Sequence, residues 1–204
     1  MHGYDMEKLA GTFNRVAPFY DIVRPLFIRP YRKAVRYTLN ELKSGENPPR
    51  VLDIGTGTGT LAGIFADRGA KVTGVDISPE MLNQARKKYG SRVSFLQAPA
   101  HAPGLFGNDS FDVVSAAFVL HEMPPDYRIR VLEEMKRLAR RVVLVIDYVP
   151  NCNPLISLVE HLEKSYYRDF LGSVKAELNN VFSRHICKRM SHFIGMYLCD
   201  SRNY

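Results

Sequence analysis

Two carboxylates and three glycines at the centre of the sequence have the types and spacing to do chemistry. In "VLDIGTGTGT" (residues 51–60) Asp53 is followed by glycine at 55, 57 and 59. Glycine admits the positive φ of a tight turn and lets a ligand lie against the backbone. If a helix follows, its unpaired N–H groups and the positive end of its dipole attract an anionic group. Asp76, in "GVDIS", sits where a carboxylate can take both hydroxyls of a ribose. A dinucleotide fingerprint, G-x-G-x-x-G, needs glycine at position 60, where Thr60 stands, and a phosphate-cradling P-loop needs a lysine that is absent. Asp76 alone points to a nucleoside without identifying it. Further along, His121 and Glu122 ("LHEMPP") and Asp147 and Tyr148 are candidates for acid–base work. "HEMPPD" is no zinc motif, since Asp126 replaces the second histidine and two prolines prevent the helix. No metal is expected.

These residues need elements to hold them. "RVLDIG", "KVTGVDI", "RVSFLQA", "FDVVSAAFV" and "RVVLVIDYV" read as strands. "TLAGIFADRG", ended by Gly69, reads as a helix, as do "SPEMLNQARKKYG" and "PPDYRIRVLEEMKRLA". In the second of these, Ser78 is the N-cap, Pro79 the first helical residue and Gly90 follows the end. Strands alternating with helices imply right-handed crossovers and a parallel sheet covered on both faces. After residue 150, "NPLISLVEHLEKSYYRDFLGSVKAELNNVF" reads as one or two helices, and "RHICKRM" with "HFIGMYLCD" as an antiparallel hairpin. Residues 4–42 read as mostly helical, broken near Pro18, Pro25 and Pro30, before the linker "KSGENPPR". The expected fold is α/β: a three-layer α/β/α sandwich with a mostly parallel Rossmann-like sheet, a C-terminal hairpin and an N-terminal helical cap. It forms one domain over 1–204, divided into a cap (1–45), a binding core (50–150) and a C-terminal part (151–204).

Composition narrows the partners. At 204 residues, 46% hydrophobic and 24% charged, the chain has the make-up of a soluble globular domain. No apolar run reaches the roughly 18–20 residues of a membrane span, no signal peptide is evident, and a cytoplasmic location is expected. The three cysteines (Cys152, Cys187, Cys199) show no disulfide or zinc spacing. The net charge of +7 is concentrated at the ends. Residues 1–50 hold nine Lys/Arg against five Asp/Glu, and residues 184–204 four against one. Such ends fit nucleic acid, an anionic membrane surface, an acidic substrate or plain solvation.

The stretch from Val51 to Tyr89 resembles the opening of the class I S-adenosylmethionine-dependent methyltransferases. "FNRVAPFYDIVRPLF" (residues 13–27) resembles the cap helix of their ubiquinone/menaquinone-type C-methyltransferase branch, and "FDVVSAAFVLHEMP" (111–124) its fourth strand and following loop. The resemblance implies S-adenosyl-L-methionine as cofactor. Asp53 and the Gly55–Thr56–Gly57 turn would hold the methionine amino and carboxylate ends. Asp76 would bind the ribose diol, Ile77 and Met81 would pack on adenine, and Ala116 and Ala117 would floor the methionyl chain. Tyr20 would close over the cofactor from the cap and, with His121, is a candidate catalytic residue. One departure stands out: Pro99, beside Ala100 at the adenine edge, takes the place of an aspartate that often bonds the adenine amino group. Adenine would then rely on backbone groups or His101. The aromatic and arginine-rich cap and "EKSYYRDF" (163–170) fit a small apolar or aromatic methyl acceptor. The basic cap also fits peripheral contact with a membrane. Methylation of RNA or protein through the basic ends, and a non-catalytic cofactor-binding module, remain as alternatives. Nucleic acid is disfavoured because no RNA-binding module and no pocket motif for a flipped base is present.

Overall fold

The computed structural model describes residues 11, 20–42, 47–101, 106–149 and 166–202, with side chains in the first helix described from residue 25 onward. Its elements in chain order are α1 (Tyr20–Glu41), β1 (Arg50–Ile54), α2 (Thr60–Ala66), β2 (Lys71–Asp76), α3 (Pro79–Tyr89), β3 (Val93–Gln97), β4 (Phe111–Ala117), α4 (Pro125–Leu138), β5 (Ala139–Tyr148), α5 (Tyr167–Val181), β6 (His185–Arg189) and β7 (Ile194–Asp200). A short 3₁₀ turn, Leu120–Glu122, links β4 to α4.

The seven strands form one sheet in the order β3-β2-β1-β4-β5-β7-β6. The first five are parallel, and β7 runs antiparallel between β5 and β6. Val51, Leu52 and Ile54 of β1 and Val113 and Val114 of β4 are fully buried, because both faces of these strands are covered. One face packs on α1, α2 and α3 through Val35, Leu61, Phe65, Leu82 and Ile146. The other packs on α4 and α5 through Val114, Leu132, Met135, Phe170 and Leu178. The expected three-layer sandwich and C-terminal hairpin are both present.

Local signals hold where caps dictate them. Ser78 Oγ accepts from Met81 N at 3.1 Å with Pro79 at the first helical position. Gly69 (φ +84) ends α2, with Gly69 N–H on the Ala66 carbonyl and Ala70 N–H on that of Phe65. Pro25 and Pro30 do not break the cap as expected: both lie inside α1. An interior proline costs about 3 kcal/mol, which the buried face of Tyr31, Ala34, Val35, Thr38 and Leu42 offsets. Two boundaries also move. β4 ends at Ala117 because Phe118 turns to φ +56, and β5 begins at Ala139, directly after α4. The expected break at Pro18 and the helix over residues 153–165 lie outside the described residues.

Candidate active site

The strand order reverses between β1 and β4, and the crevice beyond their carboxyl ends is where an open α/β sheet binds ligands. The glycine turn lies there, stapled by both carboxylates. Asp53 accepts from Thr56 Oγ1 on one oxygen and from Ser115 Oγ on the other, each at 2.7 Å. Asp76 accepts from Gly57 N at 2.8 Å and Ser78 N at 2.9 Å. Thr56 N–H goes to the Val75 carbonyl. Both Thr56 donors are thus spent inside the protein, so Thr56 shapes the turn for Gly55 and Gly57. A Cβ at Gly55 (φ +63) would collide with Val119, whereas one at Gly57 (φ +53) would meet nothing within 4 Å. The first glycine is demanded by packing. The second faces open space.

Burial pushes the Asp53 carboxyl up to about 6; its hydroxyl partners only partly offset this, and the charge of Asp76 adds to it. Burial likewise raises the Asp76 carboxyl, against the pull of its backbone donors. Two adjacent desolvated carboxylates suit a ligand bringing both an ammonium and hydroxyl groups.

Around Asp76, Met81 is buried, while Ile77, Pro99 and Ala100 are half-buried. The Ile77 carbonyl accepts from Gln97 Nε2 at 3.1 Å. His101 Nδ1 lies 2.5 Å from the Tyr127 hydroxyl. Burial lifts that phenol to about 12, so the hydroxyl keeps its proton in this contact.

On the other side of the crevice Ala116 is buried and Ala117 half-buried. Beyond them an aromatic wall runs across four elements. Phe27 of α1 meets Phe118 at 5.0 Å between ring centroids, Phe118 meets Tyr148 at 5.0 Å, and Tyr148 meets Tyr167 of α5 at 4.9 Å. His121 lies against this wall, 4.8 Å from the Tyr148 ring. It is buried, with Nδ1 2.8 Å from Asp147 Oδ1 and Nε2 3.3 Å from Glu122 Oε1. Burial lowers its affinity for a proton, but the two carboxylates outweigh that and hold its pKa well above the ordinary value. The two carboxylates thus favour the protonated form of this imidazole. Tyr20 opens α1, and its side chain lies outside the described residues.

Sequence reading missed Ser115, which pairs in register with Asp53. It also missed the fully buried Arg128, which bonds Glu177 through two nitrogens at 2.6 Å and Asp169 and the Met123 carbonyl at 2.8 Å. This cluster ties α4 and the His121 loop to α5. The signal was available, because Arg128 shares a helical face with Val131, Leu132 and Met135.

The geometry agrees with what the chain is similar to. The methyltransferase domain family matches residues 51–141. A demethylmenaquinone methyltransferase of Chlorobaculum tepidum is 43% identical over 54% of this chain and 47% of its own length, so the match spans about half of that relative. The demethylmenaquinone methyltransferase of Thermus thermophilus is 34% identical over 79% of this chain and 76% of its own. Among solved structures, magnesium protoporphyrin IX methyltransferase from Synechocystis PCC 6803 with bound SAH superimposes with a TM-score of 0.62 at 21% identity, covering 84% of this chain and 83% of that one, a likeness of fold. With more than two thirds of the Thermus protein matched above 30% identity, this chain belongs to the class I S-adenosylmethionine-dependent methyltransferases, in their ubiquinone/menaquinone-type C-methyltransferase branch.

Proposed function

We propose that this protein transfers a methyl group from S-adenosylmethionine to a small aromatic acceptor of the quinone-precursor kind. The observation that carries the reading is the pairing of Asp53 and Asp76 across a glycine turn whose Gly57 faces open space. A buried carboxylate pushed up to about 6 fits an ammonium group, and Asp76 keeps lone pairs for a ribose diol. The relatives' names give the acceptor class.

S-adenosylmethionine supplies an electrophilic sulfonium methyl when bound. The protein's part is to hold and enclose it. Asp53 with the backbone at Gly55 and Gly57 takes the amino-acid end, and Asp76 takes the ribose. Ile77, Met81, Pro99 and Ala100 border the purine, and Ala116 and Ala117 the methionyl chain. The wall of Phe27, Phe118 and Tyr148 stacks a flat ring and excludes water. Holding acceptor and methyl carbon at attack distance supplies about 7–11 kcal/mol of the barrier. His121, held by Asp147 on one ring nitrogen and Glu122 on the other, fixes the Tyr148 ring at the edge of the acceptor space. By the family resemblance, Tyr20 would close over the cofactor from the cap. The cytoplasmic location expected from the sequence belongs to the same reading.

Isothermal titration with S-adenosylhomocysteine, S-adenosylmethionine and NADH tests it. Both sulfur nucleosides are expected to bind and NADH not to. Asp76→Ala should weaken them by about 1.5–3 kcal/mol, roughly 10–150-fold. Equal binding by wild type and variant, or binding of NADH alone, would overturn the reading.

A further inference from the structure

Helix α1 carries a feature that cofactor binding and methyl transfer do not use. Arg29, Arg32, Lys33 and Arg36 are exposed, and at 3.6 residues per turn they fall within an arc of about 100°. Among the described residues no carboxylate lies on that arc before Glu41, and none pairs with these four cations. Lys188 of β6 stands beside it, 4.2 Å over the Tyr37 ring. Helix α4 differs: it interleaves its cations with Asp126, Glu133 and Glu134, an ordinary solvated face. The α1 arc is headed by Leu26, which is 62% exposed. Its neighbour Phe27 begins the aromatic wall, and at the far end of that wall Tyr166, 42% exposed, adjoins Tyr167.

We propose that the exposed arc of α1 seats the protein on an anionic lipid surface, with Leu26 immersed and the aromatic site opening at headgroup level. Cations backed by an exposed apolar residue are what an interfacial helix presents to acidic lipids. A nucleic-acid backbone has phosphates for the cations but nothing for the exposed Leu26. From Leu26 to Arg36 the arc is about 15 Å long, enough for headgroups of several lipids. No described helix is long and apolar enough to cross the membrane, so the contact is with its surface. The inference does not depend on the cofactor reading.

Co-sedimentation of the full chain with phosphatidylcholine vesicles, with and without 30% phosphatidylglycerol (a probe composition of about that fraction), tests it. Binding is expected only with the anionic lipid, falling with added salt. Reversing the arc (R29E/R32E/K33E/R36E) should weaken it at least about tenfold. A control carrying the same charge change elsewhere (R68E/K71E/K87E/R130E) should bind as wild type does. The chain has no tryptophan, so Leu26→Trp adds a single reporter, expected to shift its emission to the blue on anionic vesicles. Affinity for S-adenosylhomocysteine, measured in parallel, should stay unchanged in every variant. Absence of wild-type binding, equal loss in arc and control variants, an unmoved emission from the Leu26→Trp variant, or salt-sensitive binding to RNA in place of vesicles would each overturn the proposal.

Discussion

Asp53 is a residue whose best state for folding is not its best state for binding. Its carboxyl is raised in the folded chain, to about 6 from 3.8, so the native state holds its proton more tightly than the unfolded state does. The sign follows from linkage: stability is greatest with the group protonated and falls as pH rises between about 4 and 6. Above that range the buried charge costs on the order of 3 kcal/mol. Asn at this position removes the charge and keeps the shape, since the Thr56 and Ser115 hydroxyls can either donate or accept. Asp53→Asn is therefore expected to melt several degrees higher than wild type at pH 7.5, to lose that advantage by pH 4, and to bind S-adenosylhomocysteine at least about tenfold more weakly. Thermal unfolding of both proteins across that pH range checks it, and parallel curves would count against a buried charge. Asp53 and Asp76 were legible in the sequence because a backbone that must bend and be approached shows itself in residue types. Ser115 was not, because a serine in a strand signals nothing until the register sets it opposite Asp53.

At the scale of elements, α5 is held by chemistry that sequence patterns report poorly. The partners of Arg128 lie 41 and 49 residues away in the chain, so only folding brings them together. The arginine also lies over the Phe170 ring at 5.5 Å. Removing one member of a buried ion pair leaves the other charge without compensation and costs about 3–5 kcal/mol, whereas replacing both by apolar groups is far milder. Arg128→Met should therefore be severely destabilised, and Arg128→Met with Glu177→Leu should regain most of the loss in denaturant unfolding. A double variant no better than the single one would show that the pair is not acting as a unit. The prolines of α1 make the opposite point: their local cost was legible, and the buried face that overrides it depends on the sheet beneath. The parallel sheet followed from alternating elements and the hairpin from two short neighbouring runs, while the setting of His121 needed Asp147 and Glu122 placed around it.

For the whole molecule, the site lies at the junction of its two halves. From the seam the strand order runs through β1, β2 and β3 to one side and through β4 and β5 to the other, and Asp53, Asp76 and Ser115 close it from three different strands. A ligand that engages both carboxylates binds the folded chain and not the unfolded one. Its stabilisation is then set by mass action, about 2.7 kcal/mol at a hundredfold excess over Kd. At 204 residues that corresponds to a rise in Tm of about 5–10 °C. S-adenosylhomocysteine is expected to produce this shift in a single cooperative transition, Asp76→Ala to lose most of it, and NADH to produce none. Because an ammonium is best met by an ionised Asp53, the shift at fixed ligand concentration should be larger at pH 8 than at pH 5. Differential scanning calorimetry at both pH values reads all of these together. Two transitions of which only one moves would mean that the seam does not couple the halves, and a pH-independent shift would place the ligand's positive charge away from Asp53.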